Sequence, residues 1–262
     1  MRKITLAFIL AALASFQTSA TVVEIRTNMG NISVNLFDEQ TPETVENFLE
    51  YVNSGAYANT IVHRLEPGFV IQSGGYQYNG QLPLDEVPTG APVVNEPELS
   101  NVRGTIAMAK LAGDPDSATS QWFINLADNS ANLDLQNSGF TVFGQVIENG
   151  MDIADEINQL PRYNLGGAAS AAPLIDYDSA SGEDPNEDNF VLITDIVVTD
   201  DAVVTNPDLN PTPNTLINNN NSGGGDNPST PSDGGSSGGA INPLTMLVLA
   251  LGTLLFRRRI KA

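Results

Sequence analysis

The chain has 262 residues, of which 41% are hydrophobic, so one domain with its own core plus non-globular segments is expected. It contains no cysteine, which excludes disulfides, zinc–thiolate sites and a cysteine nucleophile. The formal charge is −20, and six of the 11 basic residues lie at the two ends of the chain, so the acidic body of the protein should repel nucleic acid and anionic lipid.

Residues 1–20 have the pattern of a secretory signal peptide. Arg2-Lys3 precede an apolar run from Ile4 to Phe16, and the small residues Thr18–Ala20 follow it. An uncleaved membrane anchor is the alternative, but the apolar run is short and ends at small residues. We therefore expect cleavage after Ala20 and export of the domain at 21–201.

The mature chain begins with a predicted β-hairpin. Val22–Arg26 and Ile32–Phe37 alternate apolar and polar residues at period two, and Asn28–Asn31 supplies the turn. A helix is predicted next, with Thr41 as its cap and Pro42 in its first turn, ending near Gly55. Its apolar residues follow helical spacing at Val45, Phe48, Leu49 and Val52.

Several short strands are predicted along the rest of the domain, with a second helix starting near Met151. The strand candidates are Val62–Arg64, Phe69–Gln72, Thr105–Ala109, Gln121–Asn125, Val142–Ile147 and Val191–Thr199. Many short strands without a strand–helix–strand alternation indicate a mostly antiparallel barrel. Residues 163–189 are rich in Gly, Ala, Ser and acids, which favours a loop inserted before the last strand.

The composition changes after the domain. Residues 202–239 are mostly Asn, Pro, Gly and Ser, as in a flexible linker with nothing to bury. An apolar segment follows at 240–256, about 25 Å long as a helix, and then a basic tail at 257–262. The basic residues would stay in the cytoplasm and tether the exported domain to the inner membrane, on its periplasmic or cell-surface side.

Two explanations of this C-terminal segment remain open. It is either a plain single-pass anchor or a sorting signal. Gly238-Gly239, the short apolar segment and the terminal arginines together resemble the bacterial Gly-Gly sorting tail. That resemblance implies processing by a rhomboid-type intramembrane protease.

Two stretches of the domain carry a family signature. Ile61–Gly75 combines Arg64, Phe69 and Gln72, and a second motif runs from Arg103–Ala109 to Ser120–Asn125. Together they resemble the cyclophilins, the peptidyl-prolyl cis-trans isomerases, over roughly Val22 to Asp200. The resemblance implies a mainly β fold: a closed eight-stranded antiparallel barrel capped by two helices. It also implies a monomer that acts on proline-containing polypeptides and uses neither cofactor nor metal.

The resemblance assigns the chemistry to one always-charged donor beside an apolar pocket. Arg64 would donate a hydrogen bond to the prolyl nitrogen, with Gln72 and Phe69 beside it. Rotation about an Xaa–Pro bond breaks no covalent bond, so it needs no nucleophile or metal. The residues expected to bind substrate are Val70, Ala109, Lys110, Leu111, Gln121, Phe123, Asn132, Leu133 and Phe140.

Some positions depart from the family pattern and keep other functions open. Asn132 stands where many relatives carry an aromatic residue, Phe140 where His or Tyr is common, and Val70 where Met is usual. His63 is the only histidine, which excludes His-pair metal sites and argues against a hydrolase triad. The leading hypothesis is an isomerase that serves exported proteins. The alternatives are a catalytically weak module that binds proline-containing segments and a surface structural protein.

Overall fold

Alternating apolar residues form the strands around which the domain is built. The computed structural model describes residues 21–200 and 209–217. The predicted signal peptide 1–20, the apolar segment 240–256 and the basic tail 257–262 lie outside the described residues, as does most of the predicted linker. Among the described residues, no helix is both long and apolar enough to cross a bilayer.

Eleven strands pair antiparallel in one curled sheet, in the order β4-β5-β9-β8-β10-β2-β1-β13-β3-β6-β7. Eight strands were predicted; several of the eleven are only two or three residues long. β11 and β12 form a separate pair. The strands are β1 Val22–Thr27, β2 Gly30–Leu36, β3 Thr60–Ile61, β4 Arg64–Glu66, β5 Val70–Ser73, β6 Tyr76–Gln77, β7 Asp85–Glu86, β8 Thr105–Met108, β9 Trp122–Asn125, β10 Val142–Val146, β11 Arg162–Tyr163, β12 Ala172–Pro173 and β13 Leu192–Asp200.

The two faces of the sheet bury different sets of side chains, because successive residues of a strand point to opposite sides. On the inner face, Ile106, Met108, Trp122 and Ile124 join the main core, with Phe143 beside them. On the outer face, the intervening residues form a second apolar cluster. The predicted hairpin is confirmed, since β1 pairs with β2.

Within residues 21–200, three α-helices accompany the sheet: α1 Pro42–Asn53, α2 Ser130–Leu133 and α3 Gly150–Asn158. The two predicted helices are α1 and α3, and the one-turn α2 was not predicted. α1 packs Val45 and Phe48 onto the inner face of the sheet. Gly55, just beyond the helix, has a φ of +71°, a left-handed conformation that glycine adopts readily.

A carboxylate from a distant loop caps α1. Thr41, the predicted cap, instead donates its hydroxyl to the carbonyl of Phe37, 3.3 Å away. Glu96 accepts from the backbone N–H of Thr44 at 2.9 Å and from its hydroxyl at 2.7 Å. A negative charge at this end of a helix also complements the helix dipole. Capping contacts from so far along the chain leave no local sequence signal.

The predicted loop at 163–189 has structure of its own. β11 pairs with β12, and the aromatic rings of Tyr163 and Tyr177 meet edge to face with centroids 5.0 Å apart. Leu174 is fully buried beside Phe190 and Leu192. The segment therefore closes one end of the core, although its polar composition predicted an irregular loop.

Residues 209–217 also differ from the expectation of a linker with nothing to bury. Leu209 packs against the outer apolar cluster, and Pro213 forms an isolated antiparallel bridge with Leu99. Asn214 is only 4% exposed. A few well-placed side chains give this stretch a docking surface that the average composition of 202–239 conceals.

Replacing the capping carboxylate tests this account of α1. Glu96→Ala should lower the free energy of unfolding by about 1–2 kcal/mol, because the hydrogen bonds that Glu96 accepts from Glu43 and Thr44 at the helix N-terminus are lost. Denaturant unfolding of the purified protein measures the change. Glu50→Ala, the same substitution at an exposed position of α1, should alter stability by less than about 0.5 kcal/mol. Equal effects of the two substitutions would contradict the capping role.

Candidate active site

Five side chains of the site lie in one row across the sheet. Register pairs Arg64 with Gln72, Gln72 with Phe123, Phe123 with Ala107, and Ala107 with Val142. Directly opposed residues of neighbouring strands point to the same face. The row therefore runs on the outer face from a charged residue, through an amide, to apolar side chains.

A chain of polar contacts holds Arg64 in place. Its Nη1 donates to Oε1 of Gln72 at 3.3 Å, and its Nη2 lies 3.3 Å from Oε1 of Glu66. Gln72 in turn donates from Nε2 to Oε1 of Gln121 at 2.9 Å. Burial lowers the pKa of Arg64 from its ordinary value, and the charge of Glu66 opposes this shift. The guanidinium stays charged, because an arginine side chain ionises only at very high pH.

Two glycines let this polar chain approach the backbone. A Cβ on Gly75 would lie 2.6 Å from the amide carbon of Gln121. A Cβ on Gly74 would lie 2.5 Å from the carbonyl oxygen of Ser120, and Gly74 also has a φ of +79°. Larger residues at either position would displace the segment that carries Gln121.

Beside the polar row lies an apolar group that we call the pocket cluster. Its buried members are Phe37, Val70, Leu99, Ala107, Ala109, Phe123, Leu133, Phe140 and Val142. Phe69 and Leu209 pack against it and are only partly buried. The rings of Phe123 and Phe140 meet edge to face with centroids 5.9 Å apart. Every apolar side chain predicted for the proline pocket is thus in, or packed on, this cluster.

The Lys110 side chain contacts the loop that precedes Phe140 of the pocket cluster. The side chain is buried, and its ammonium donates to Oδ1 of Asn95 and to the carbonyls of Asn137 and Gly139. It also lies 4.9 Å from the centroid of the Phe140 ring. Burial lowers the pKa of Lys110 to about 8, against the opposing charges of Asp116 and Asp114. Its side chain therefore braces the loop that carries Phe140.

The other predicted substrate-binding residues occupy the edges of the site. Ala109 belongs to the pocket cluster, and its N–H donates to the carbonyl of Gln121 at 2.9 Å. Leu111 is half-buried, and its N–H donates to the hydroxyl of Ser117. Asn132 is half-buried in α2 and lies outside the pocket cluster. The structure thus brings Ala109 to the apolar wall and leaves Asn132 at the rim.

Buried asparagines fix the backbone of Phe69. Asn129 donates from Nδ2 to the carbonyl of Phe69 at 2.9 Å and to Oδ1 of Asn125 at 2.7 Å. Asn125 donates in turn to Oδ1 of Asn101 and to the hydroxyl of Thr105. Such a fully bonded polar network specifies one arrangement of the loop. No local sequence pattern identifies these residues.

Sequence analysis also missed Glu66, the ion-pair partner of Arg64. Glu66 bridges two arginines, because its other carboxylate oxygen lies 3.3 Å from Nη1 of Arg162. The spacing of Arg64 and Glu66 is a signal that was available, since residues two apart in a strand share a face. Arg162 directly precedes the segment 163–189 and had no such signal.

His63 is fully buried behind Arg64 and stays neutral. Desolvation, and then the charge of Arg64, lower its pKa to about 3. The ring meets Tyr76 edge to face, with centroids 5.0 Å apart. Over the described ranges, no group of three or more His, Asp or Glu side chains is arranged to hold a metal ion.

Comparisons with known proteins give the family of the chain. A sequence model of the cyclophilin-type peptidyl-prolyl cis-trans isomerases matches residues 22–175. The chain belongs to this family. It is therefore a peptidyl-prolyl cis-trans isomerase by family membership.

Bacterial relatives and a solved structure give the extent of the similarity. A peptidyl-prolyl cis-trans isomerase of Acinetobacter baylyi is 45% identical over 149 residues, which is 56% of this chain and 76% of the relative. Isomerase A of Dickeya dadantii is 46% identical over 153 residues, 57% of this chain and 77% of that protein. A Cryptosporidium parvum cyclophilin, solved in the presence of the dipeptide Ala-Pro, superposes with a TM-score of 0.50 at 26% identity, covering 69% of this chain and 99% of that one.

The buried histidine of this cyclophilin predicts an acid-sensitive stability. An unfolded histidine titrates near pH 6.5, whereas the pKa of His63 in the fold is about 3. The unfolded chain therefore binds an extra proton below about pH 6.5, and stability falls as the pH is lowered from there toward 3. We expect His63 to cost about 2 kcal/mol of unfolding free energy between pH 6.5 and 4.5.

His63→Gln, which cannot titrate, should remove that share of the pH dependence. Urea unfolding of both proteins at several pH values measures the two slopes, and the carboxylates common to both cancel in the comparison. Parallel slopes for wild type and variant would show that His63 is protonated to the same extent in the folded and unfolded chains.

Proposed function

We propose that this cyclophilin isomerises Xaa-Pro bonds of exported proteins, with Arg64 as the donor to the prolyl nitrogen. The observation that carries the proposal is the position of the guanidinium. Gln72 and Glu66 hold it on the rim of the pocket cluster, and its side chain keeps 16% of its surface exposed. A charged donor thus borders an apolar wall that suits a proline ring.

The chemistry follows from the nature of the amide barrier. Rotation about the bond must overcome about 18–20 kcal/mol of lost conjugation, and uncatalysed exchange takes tens of seconds or longer. When conjugation is lost, the lone pair returns to the prolyl nitrogen and can accept a hydrogen bond. A charged donor fixed beforehand stabilises that state without further reorganisation. Apolar surroundings also disfavour the charge-separated planar amide.

The neighbouring residues would then orient the peptide. Gln72 and Gln121 carry amides that can bond the substrate backbone on either side of the proline. Phe69, on the rim, would close over the ring, while the backbone of Ala109, Lys110 and Leu111 would line the groove for the preceding residue. The proline pocket itself would be formed by Val70, Phe123, Leu133 and Phe140.

A second function, a module that binds proline-containing segments with little turnover, has one observation in its favour. Asn132 offers no aromatic ring at the rim, so a bound peptide lacks a stacking surface there. Arg64 and Phe123 are both present, however, and a pure binding module has no need for a guanidinium fixed at this point. The isomerase is therefore the better supported function.

Removing the donor distinguishes the two functions. Arg64→Ala should lower kcat/KM for an Xaa-Pro tetrapeptide by about a hundredfold, since a preorganised charged donor contributes about 3 kcal/mol in the transition state. Arg64→Lys should recover only part of this loss, because an ammonium lacks the planar fork. A protease-coupled assay or exchange NMR on the full chain gives the rates.

Arg26→Ala is the matched control. Arg26 is also paired with a glutamate, at 2.8 Å, but lies on β1, away from the pocket cluster. Its loss should leave kcat/KM within about twofold of wild type. Wild-type activity no greater than that of a folded Arg64→Ala protein would overturn the mechanism and favour the binding module.

We also propose export and C-terminal processing, which rest on the sequence. Arg2-Lys3, the apolar run Ile4–Phe16 and the residues up to Ala20 support a cleaved signal peptide. The apolar segment 240–256 with its basic tail supports attachment to the inner membrane and removal by a rhomboid-type protease. The natural substrates would then be proline-containing polypeptides outside the cytoplasm.

Mass spectrometry of the protein from its native cells tests both processing events. We expect an N-terminus at Thr21 and a C-terminus that lies before Ala262. A chain that still starts at Met1 would exclude signal-peptide cleavage, and an intact Ala262 in the mature protein would exclude sorting. The unprocessed chain made in a cell-free system supplies the reference mass.

A further inference from the structure

The chain supplies a peptide of its own to the edge of the active site. Residues 209–217 follow the last strand, and the structure describes them against the domain. They touch it at the pocket cluster through Leu209, along residues 98–100, at Asp134 and at the loop around Gly139.

The central contact is a short antiparallel strand pairing. Ser100 donates its N–H to the carbonyl of Thr212, and Asn214 donates its N–H to the carbonyl of Glu98, both at 2.8 Å. Leu99 and Pro213 face each other between these two bonds. A docked peptide that adds a strand in this way gains affinity from its backbone.

The sequence of the segment suits this pairing. Pro213 sits at a position whose N–H the ladder does not use, so proline loses no hydrogen bond there. Pro211 and Pro213 also restrict the residues before them to extended conformations, which reduces the entropy lost on docking. The alternating prolines thus favour the bound conformation.

Asn214 and Ile217 fix the far end of the segment. Asn214 is buried, and its Nδ2 donates to the carbonyl of Asp134 at 3.1 Å. Asp134 is itself buried and accepts from the hydroxyl of Ser100 and the N–H of Asn101. Cδ1 of Ile217 lies close enough to Gly139 to be 3.4 Å from a Cβ placed there. Gly139 directly precedes Phe140 of the pocket cluster.

The pocket cluster is covered in this arrangement. Val70, Phe123 and Leu133 have no exposed surface, and Phe140 has 2%. A substrate proline can bind only to apolar side chains that it can reach. Leu209, from the described segment beyond the domain, packs against the cluster. In the described conformation these four side chains therefore offer almost no surface to a substrate ring.

We infer that residues 209–217 are an autoinhibitory peptide of this isomerase: they dock in cis along 98–100, and Leu209 shields the proline pocket until the segment is displaced. The inference rests on the proposed function, since it assigns the pocket cluster to substrate proline. Because the segment is part of the same chain, its docking is intramolecular and needs only weak contacts. The apparent affinity for substrate equals the intrinsic affinity multiplied by the fraction of molecules in which the segment is released.

A reversible clamp tests the inference in the full chain. The protein has no cysteine, so Leu99→Cys with Pro213→Cys introduces a single possible disulfide. A pair at a non-hydrogen-bonded antiparallel position has a Cα separation of about 4.5 Å, within the range of disulfides. Oxidation should lower kcat/KM for an Xaa-Pro tetrapeptide at least about tenfold, and reduction should restore it. Any loss of packing at Leu99 is present in both redox states and cancels.

A second variant acts in the opposite direction. Leu209→Asp should raise kcat/KM of the full chain by about tenfold, because a carboxylate is disfavoured against the apolar cluster. Val198→Asp on β13, where Val198 is 39% exposed, is the control and should change kcat/KM by less than about twofold. A merely structural role for Leu209 would instead lower the melting temperature without raising activity.

Binding of the same tetrapeptide, followed by NMR titration, separates failure of this inference from failure of the proposed function. Equal peptide affinity in the oxidised and reduced clamp overturns the inference, whatever the activity. Tighter binding by the reduced clamp and by Leu209→Asp, without any turnover, supports the inference and overturns the proposed isomerase mechanism. Equal kcat/KM in both redox states, with activity dependent on Arg64, overturns the inference alone.

Discussion

The register of β4, β5 and β9 is the constraint on which the site depends. One row, Leu65–Ile71–Ile124–Ile106, is aliphatic and at most 2% exposed, so it fixes the inner face. The next row then places Arg64, Gln72 and Phe123 together on the outer face. A slip of one residue would exchange the two faces and bury the guanidinium in the core. Burying an unpaired charge there costs several kcal/mol. The register that packs the core is therefore also the register that places the site residues.

The few cations of the acidic body are concentrated around this site. Outside the ends of the chain the basic residues are Arg26, Arg64, Arg103, Lys110 and Arg162. Three of them serve the site differently: Arg64 faces the pocket rim, Arg162 shares Glu66 with it, and Lys110 is buried against carbonyl groups. Because Glu66 contacts two arginines, its charge is divided between them, and Arg64 keeps hydrogen-bonding capacity for a ligand. The Lys110 ammonium donates its hydrogen bonds to oxygens at the loop before Phe140, so Lys110 positions Phe140 and has no donor left for a ligand.

The sequence predicts those parts of the molecule that depend on local pattern. The β1–β2 hairpin, α1, α3 and the central strands follow from alternation and helical spacing, and the Arg64 motif identifies the row that forms the site. Lys110 was expected to line a groove, but its side chain is buried because three oxygen acceptors from distant loops meet it. The strand pair in 163–189, the cap at Glu96 and the docking of 209–217 also depend on contacts between distant residues. The average composition of the segment does not reveal these contacts, because Leu209, Asn214 and Ile217 are few among many polar neighbours.

The docked segment follows from a conflict within the site. Isomerisation needs an apolar wall beside Arg64, yet an uncovered apolar patch on a soluble surface promotes unwanted association. Because residues 209–217 belong to the same chain, one such segment is present for each pocket cluster that it covers. Its prolines lower the entropy cost of docking. Its contacts include two backbone bonds, one buried asparagine and partly buried aliphatic side chains. Such contacts are weak enough for a proline-rich substrate, which offers the same groups, to displace the segment.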